Sequence, residues 1–521
     1  VVFLLAGMMC LGGEAGAQVV TSVWVGGSVG WNTAGNWDPS GVPSAENNTR
    51  VEFNAGSGGI VDQDTGNSVT LNQLVFGAEA GSFTIGGNGF VFQSTPSPDF
   101  FDPRMQVSSF NPQVVSNDLE LLNEVTIAGG EQTDVTLSGI VSGSGAVKVE
   151  LPSGGRVRYR EGIKNYVGST RIVNGRIDLE TEQRVLGNLF IEASGSSYAV
   201  LPGGTLELRS KVLGSDGLLS LTGGMIVVRS GGGIGELNAD APNFHWDAGI
   251  YFSTNSHEHH AETIWRGGTW TGAVGTIVQI FLPWTLEGPG NKSLQRWVQT
   301  ASNAAAITWA EGDVFANTHG ILQLDAAADL LITGNDAWSG GAVLVGAAAA
   351  LVKDGGFGET LLDGFLENDG QVEVRTGTLR VSGDGSGSHA GVFTAEGSGV
   401  QMLFDGGAHN LTDGGSLVAD NGGEIRAVAG AALTFSAGTR LSASDAAINF
   451  QDSSLDGSGT VLAVLTNGSL RFTSSELGGM AADVLDVGGP SGTVFLANNG
   501  FSGNSLDRSL RTGSGISLRF T

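Results

Sequence analysis

The stretch "NSHEHHAET" sets His257, Glu258, His259 and His260 side by side, the densest group of ionisable residues in the chain. Three imidazoles and a carboxylate are ligand types for zinc and related transition metals. The spacing is not the His-Glu-x-x-His of a helical metal site, and Asn255 and Ser256 just before it read as a solvated, exposed loop. Around this stretch stand Trp246, Trp265, Trp270, Trp284, Trp297 and Trp309. Indole rings carry a polar edge and stack on sugars, but buried aromatics dominate protein cores, so the plainer reading turns these rings inward to fill wide coils. The residues singled out for ligand contact are therefore Trp265, Trp270, His257, His259 and His260, with none assigned as catalytic, as a metal ligand or as a cofactor ligand.

Polysaccharide lyases and hydrolases need clustered carboxylates, and lyases add a base that takes a proton. The lysines Lys148, Lys164, Lys211, Lys292 and Lys353 are scattered, and Asp325, Asp329 and Asp336 lie among core-like residues in "LDAAADLLITGNDAW". No constellation argues for catalysis. "SGDGSG" and "DNGGE" do not complete the nine-residue glycine-aspartate motif of calcium-loaded solenoids, and "SGGGIGE" does not sit between a strand and a helix as a phosphate-binding loop must. No cofactor is expected.

What must position any such residues is set by composition. The 521 residues include 85 Gly and only 12 Pro, and 40% are hydrophobic, which excludes collagen and disorder and favours a folded, strand-rich chain. The net charge of -27, without a basic run, excludes nucleic acid as a partner. An acidic polysaccharide would also be repelled unless calcium bridged the surfaces. "VVFLLAGMMCLGGEAGAQVV" reads as the apolar part of a secretory leader with a small-residue cleavage site at Ala15-Gly16-Ala17, its basic start missing. Cys10 is the single cysteine, and the residues before it fit a lipidation signal poorly. Once the leader is removed, no disulfide chemistry remains. Nothing later in the sequence has the apolar length of a membrane span.

"NDGQVEVRTGTLRVSGDG" alternates apolar and polar residues, halts on glycine and alternates again. In a strand Val372 and Val374 share one face and Glu373 and Arg375 the other; Leu379 and Val381 repeat the pattern after a corner at "RTGT". Downstream the first apolar positions fall at Leu417, Ile425, Leu433, Leu441, Ile448, Leu455, Leu462 and Leu470, a step of roughly seven to eight residues. Three such steps closing one coil take about 22 to 24 residues, and roughly 20 coils spaced about 4.8 Å apart would build a rod. Upstream, Val147/Val149, Val157/Tyr159 and Ile177/Leu179 form inward pairs. "AAADLL" and "GAAAALV" read as small-residue strands. Trp24, Trp31 and Trp37 precede the regular repeats, where bulky rings would close the first coil.

The stretch from Val147 to Leu186, with "GSGAVKV", "NYVGSTRIVNGRIDL" and "RVLG", resembles the autotransporter-associated β-strand repeat of exported bacterial passenger proteins. "VWVGGSVGWNTAGNWDPSGVP" is similar to the Trp-rich module that often opens such chains, and "FLENDGQVEVRTGTLRVSGDGSGSHAGVFTAEGSGVQMLFDGGAHNL" resembles a related solenoid repeat. The resemblance implies a right-handed parallel β-helix shown at, or released from, the cell surface, in keeping with the general preference for right-handed parallel connections. It carries no catalytic residues. The chain stops at "SGISLRFT" without the alternating barrel strands an autotransporter would add.

The fold expected is all-β: a right-handed parallel β-helix with a Trp-rich N-terminal capping region. Its segments are a leader at 1–17, a Trp-rich module and first coils at 18–130, and passenger-type repeats at 131–235. Trp/His-rich coils with loop insertions follow at 236–310, regular coils at 311–480 and terminal coils at 481–521. The function expected is that of an exported, non-enzymatic surface or secreted solenoid with an adhesive, structural or matrix role, its partners being glycans or other surface or matrix components. The alternative is a secreted carbohydrate-binding or polysaccharide-degrading β-helix.

Overall fold

The computed structural model describes residues 19–26, 29–95, 101–152, 154–214, 216–235, 242–301, 305–325, 327–382, 387–412, 414–457, 459–477, 484–497 and 509–521. The expected leader at 1–17, with Cys10, lies outside them, as does most of "DGSG" after Ser382. The chain is all-β, with 59% strand and 1% helix, and forms a parallel β-solenoid of about 19 turns. It divides into two compact units, residues 1–198 and 199–521.

In the first unit each coil contributes strands to three parallel ladders. One ladder lines up Val51, Leu74, Met105, Ile127, Val149, Ile172 and Ile191 through successive register pairs. A second aligns Val61, Ile85, Val115, Leu137, Tyr159 and Leu179. The third, a separate four-stranded sheet, aligns Leu71, Phe92 and Leu121. All of these side chains are buried, because alternation sends every second residue inward and parallel in-register stacking puts like on like. Backbone groups pair with the coils on either side, so the interior needs no disulfide.

The unit opens on an aromatic cluster. Val20–Trp24 pairs antiparallel with Trp37–Asp38, setting Trp24 opposite Trp37, and parallel with Thr49–Phe53. The Trp24 and Trp37 rings meet edge to face at 4.9 Å, and Trp31 meets Trp37 at 4.7 Å. Trp37 Nε1 donates to the Trp31 carbonyl at 2.7 Å. All three rings lie within 6.5 Å of Phe53, which stacks in turn on Phe76 of the next coil. The tryptophans thus cover the apolar column where the regular ladders begin.

The second unit repeats the plan with greater regularity. Leu362, Val381, Phe404, Ala427, Phe450 and Phe472 form one buried column. Leu351, Val372, Phe393, Leu417, Leu441 and Ala463 form another. The coil of roughly 22 to 24 residues predicted from spacing appears in the pairs Leu417↔Leu441, Ile425↔Ile448 and Leu433↔Leu455. Gly377 takes φ +64° at the corner between Val374 and Leu379, and a Cβ there would strike the Gly358 carbonyl oxygen at 2.4 Å. Further on, stacked corners place Asn421, Asp445 and Asn467 at positive φ, and a parallel stack places Ala429, Asp452 and Ser474 there.

Two details differ from the sequence reading. Leu462 faces outward, 40% exposed, while Val461, Ala463 and Leu465 face inward, because apolar residues at 461–462 and 464–465 fit either register. In the alanine-rich runs Ala327, Ala347 and Ala348 lie at turns, with strands starting at Asp329 and Ala350, and Ala326 lies outside the described residues.

Candidate functional site

The aromatic segment of the second unit is built from coils whose inward positions mix rings with aliphatics such as Val278, Ile280 and Val298. Asn243–Ser253 contributes Phe244, Trp246 and Tyr251, and its register sets Trp246 beside Trp265 and Tyr251 beside Trp270. Trp246 stacks on Trp265 at 4.9 Å with 13° between planes, and Trp270 on Trp284 at 4.6 Å with 25°. Trp265 is 2% exposed and Trp270 1%. Both point into the solenoid, as the inward reading requires, and neither offers a face to a sugar in solvent.

The histidines correct the loop reading. His257–His259 is a strand, paired in parallel with the neighbouring coils. His257 Nε2 lies 3.0 Å from the Tyr251 hydroxyl and Nδ1 3.0 Å from Ser253 Oγ. His259, buried, hydrogen-bonds through Nε2 with Thr263 Oγ1 at 2.8 Å. His260, also buried, stacks on Phe281 at 4.2 Å and pairs with Glu258 at 2.9 Å. Burial pushes His257 down to about 3, with the Arg296 charge acting in the same direction, and burial pushes His259 down to about 3. Neutral imidazoles at neutral pH are good metal ligands, but His257 spends both ring nitrogens on Tyr251 and Ser253 and His259 spends Nε2 on Thr263, while His259 Nδ1 is buried without a hydrogen-bond partner among the described residues. Among the described residues no group of three His, Cys, Asp or Glu converges on a point. The signal that could have placed them is the alternation continuing through "TNSHEHH", disguised by its polarity.

Three of the lysines considered as bases, Lys164, Lys292 and Lys353, are held by the backbone. Lys164 Nζ donates to the carbonyls of Gly139 at 2.6 Å, Gly162 at 2.6 Å and Arg160 at 3.1 Å. Lys292 donates to Gly288 at 3.0 Å, Gly290 at 3.1 Å and Glu311 at 2.9 Å. Lys353 reaches Gly334 at 2.9 Å, Gly355 at 3.0 Å and Asn335 Oδ1 at 3.3 Å. All three are buried. Desolvation drives Lys164 down to about 7, yet three carbonyl acceptors favour its ammonium form. Such cages close corners of the coil rather than expose a base. Lys148 pairs with Glu150 at 2.5 Å on the outer face. Asp325 accepts from the Gln323 side chain at 2.8 Å, Asp329 is exposed, and Asp336 lies beyond the far end of the Asp329–Ile332 strand.

Inside the segment, a gap of about 20 Å³ is lined by Trp265, Trp284, Leu294, Trp309 and Trp338. It has room for roughly one water and no polar lining to hold it, so it is a packing gap. The outer faces carry ion pairs between adjacent coils. Arg266 bridges Asp247 at 2.9 Å and Glu287 at 2.8 Å, and Asp134 accepts from Arg156 and Arg158 at 2.8 and 3.0 Å. The chain matches no protein-family model, and no curated protein matches it.

Proposed function

We propose that this chain is an exported, non-enzymatic β-solenoid, shown at the cell surface or released, whose outer faces serve adhesion, structure or matrix contact. The observation that carries the reading is where the reactive side chains go. His257, His259, Trp265, Trp270, Lys164, Lys292 and Lys353 are turned into the solenoid or tied to its backbone. What remains outside is a repetitive, acidic surface on which arginines are paired to carboxylates of neighbouring coils. The net charge of -27 keeps copies apart in solution. The likeness of Val147 to Leu186 to passenger repeats supports export and display, and no helix among the described residues is long and apolar enough to cross a membrane.

The test is a glycan array together with a reducing-sugar assay on the purified chain, and protease shaving of cells expressing the full-length gene. Binding without turnover, with the chain cut by external protease, supports the proposal. Turnover of any glycan, lost when carboxylates along Trp246 to Trp309 are changed, overturns it in favour of a polysaccharide-degrading β-helix.

A further inference from the structure

Corner length varies from coil to coil in the second unit, and at one place the variation leaves a notch. Between the strands Gly268–Gly272 and Ile277–Ile280 the corner is 273–276, and between Val314–Ala316 and Ile321–Leu324 it is 317–320. The coil between them turns from Lys292–Leu294 to Trp297–Thr300 through Gln295 and Arg296 alone. A short corner between two longer ones makes a depression of about 210 Å³, with Val274 and Thr276 on one rim, Thr318 and His319 on the other, and Arg296 and Trp297 at its base.

Arg296 is 2% exposed. Its Nη2 donates to Thr276 Oγ1 at 2.9 Å, and Thr276 Oγ1 in turn donates to the Ala273 carbonyl at 2.6 Å. Nε and Nη1 are buried without a hydrogen-bond partner among the described residues. Gly272 makes room for the group, since a Cβ there would stand 2.6 Å from Nη1. Burial pushes the guanidinium down to about 10, and the neighbouring Tyr251 pulls it back up. Arg296 therefore stays cationic at neutral pH. A buried cation with free donors and, among the described residues, no carboxylate paired with it is unfavourable until an anion arrives, and the guanidinium fork matches a carboxylate.

The rest of the lining sets Val274, Ile321 and the Trp297 ring among the polar side chains of Thr276, Gln295, Thr318 and His319. Val274 is 73% exposed, and the Trp297 ring is fixed by its Nε1 donating to Gln323 Oε1 at 3.0 Å, with Gln323 held by Asp325. A depression smaller than the usual small-molecule pocket suits one ring.

We propose that this notch binds a small organic carboxylate of single-ring size, a sugar acid being the representative, with its carboxylate on Arg296 and its ring against Trp297. The proposal goes beyond the surface-scaffold reading, since a ligand here is compatible with either outcome of the turnover assay.

Titration calorimetry of the whole chain with D-glucuronate, against D-glucose as the ring without the charge and acetate as the charge without the ring, tests it. Glucuronate is expected to bind at least tenfold more tightly than either control. Arg296→Gln should weaken glucuronate at least tenfold. Thr318→Trp, a change on an exposed corner that fills the notch without touching the core, should abolish binding and keeps the test decisive if Arg296→Gln does not fold. Equal response to glucuronate and glucose, or to glucuronate and acetate, overturns the proposal, as does glucuronate binding that survives Thr318→Trp.

Discussion

His389 Nε2 lies 3.4 Å from His409 Nδ1, with the two rings stacked at 25° inside the second unit and each flanked by phenylalanine, Phe393 on one side and Phe404 on the other. Burial holds His389 down to about 3 and His409 down to about 4. Adjacent imidazoles that must stay neutral make the fold sensitive to acid.

Unfolded histidines take up protons below about 6.5, whereas these two remain neutral until pH 3 to 4. The unfolded state thus binds more protons in that window. Stability is full above about pH 6.5 and falls as pH drops, by up to about 1.4 kcal/mol per pH unit for each such histidine. Urea midpoints at pH 7.5 and 4.5 should show this loss. A His389→Gln, His409→Gln double variant should lose less between the two pH values, and an unchanged difference would count against the buried neutral pair.

Replacing Lys292 by methionine leaves the carbonyls of Gly288, Gly290 and Glu311 without their donor. Leaving a buried acceptor unsatisfied costs about 1 to 3 kcal/mol, and these bonds are part-buried, so Lys292→Met should lower the urea midpoint. Lys148→Met, which removes only an outer-face pair with Glu150, should change the stability by less than about 1 kcal/mol.

Ala429 sits at φ +53° on an exposed corner stacked in line with Asp452 and Ser474. Alanine is strained there and glycine is not, so Ala429→Gly should raise stability by about 1 kcal/mol. The same change at Ala427, buried at the centre of a column, should lower it. Thermal melts of the two variants check the contrast.

Trp270 packs within 6.5 Å of Trp246, Tyr251, His259, Trp265 and Trp284. Trp270→Ala should cost about 3 to 5 kcal/mol through the cavity it leaves. A ligand-contact role would instead leave stability intact and abolish glycan binding, so equal stability of the variant would overturn the inward role. His259→Ala should likewise destabilise the protein while leaving zinc uptake unchanged, as equilibrium dialysis would show.

The solenoid was legible because its stacking rule is local. Leu417, Ile425 and Leu433 each stand second in a strand and each finds its counterpart one coil later, so three adjacent intervals contain the period. Register was not legible where two apolar residues adjoin, as at Val461 and Leu462, since either could face inward until the paired coil decides. The strand His257–His259 was hidden for the opposite reason. Its inward residue is polar and becomes acceptable only beside Thr263, which is close to it through the coil geometry. The Arg296 notch was out of reach of the sequence altogether. It arises from the difference between three corner lengths, and corner length can be read only once the strands on both sides have been paired.

The exposed corner at Phe357, where the ring is 95% exposed between Ala350–Lys353 and Glu359–Asn368, shows how much the turns can carry without disturbing the ladders. Peptides grafted into corners of neighbouring coils would be presented at increments of about 4.8 Å. The backbone of the second unit is in that sense a graduated scale, on which the separation of two displayed epitopes is chosen by counting coils.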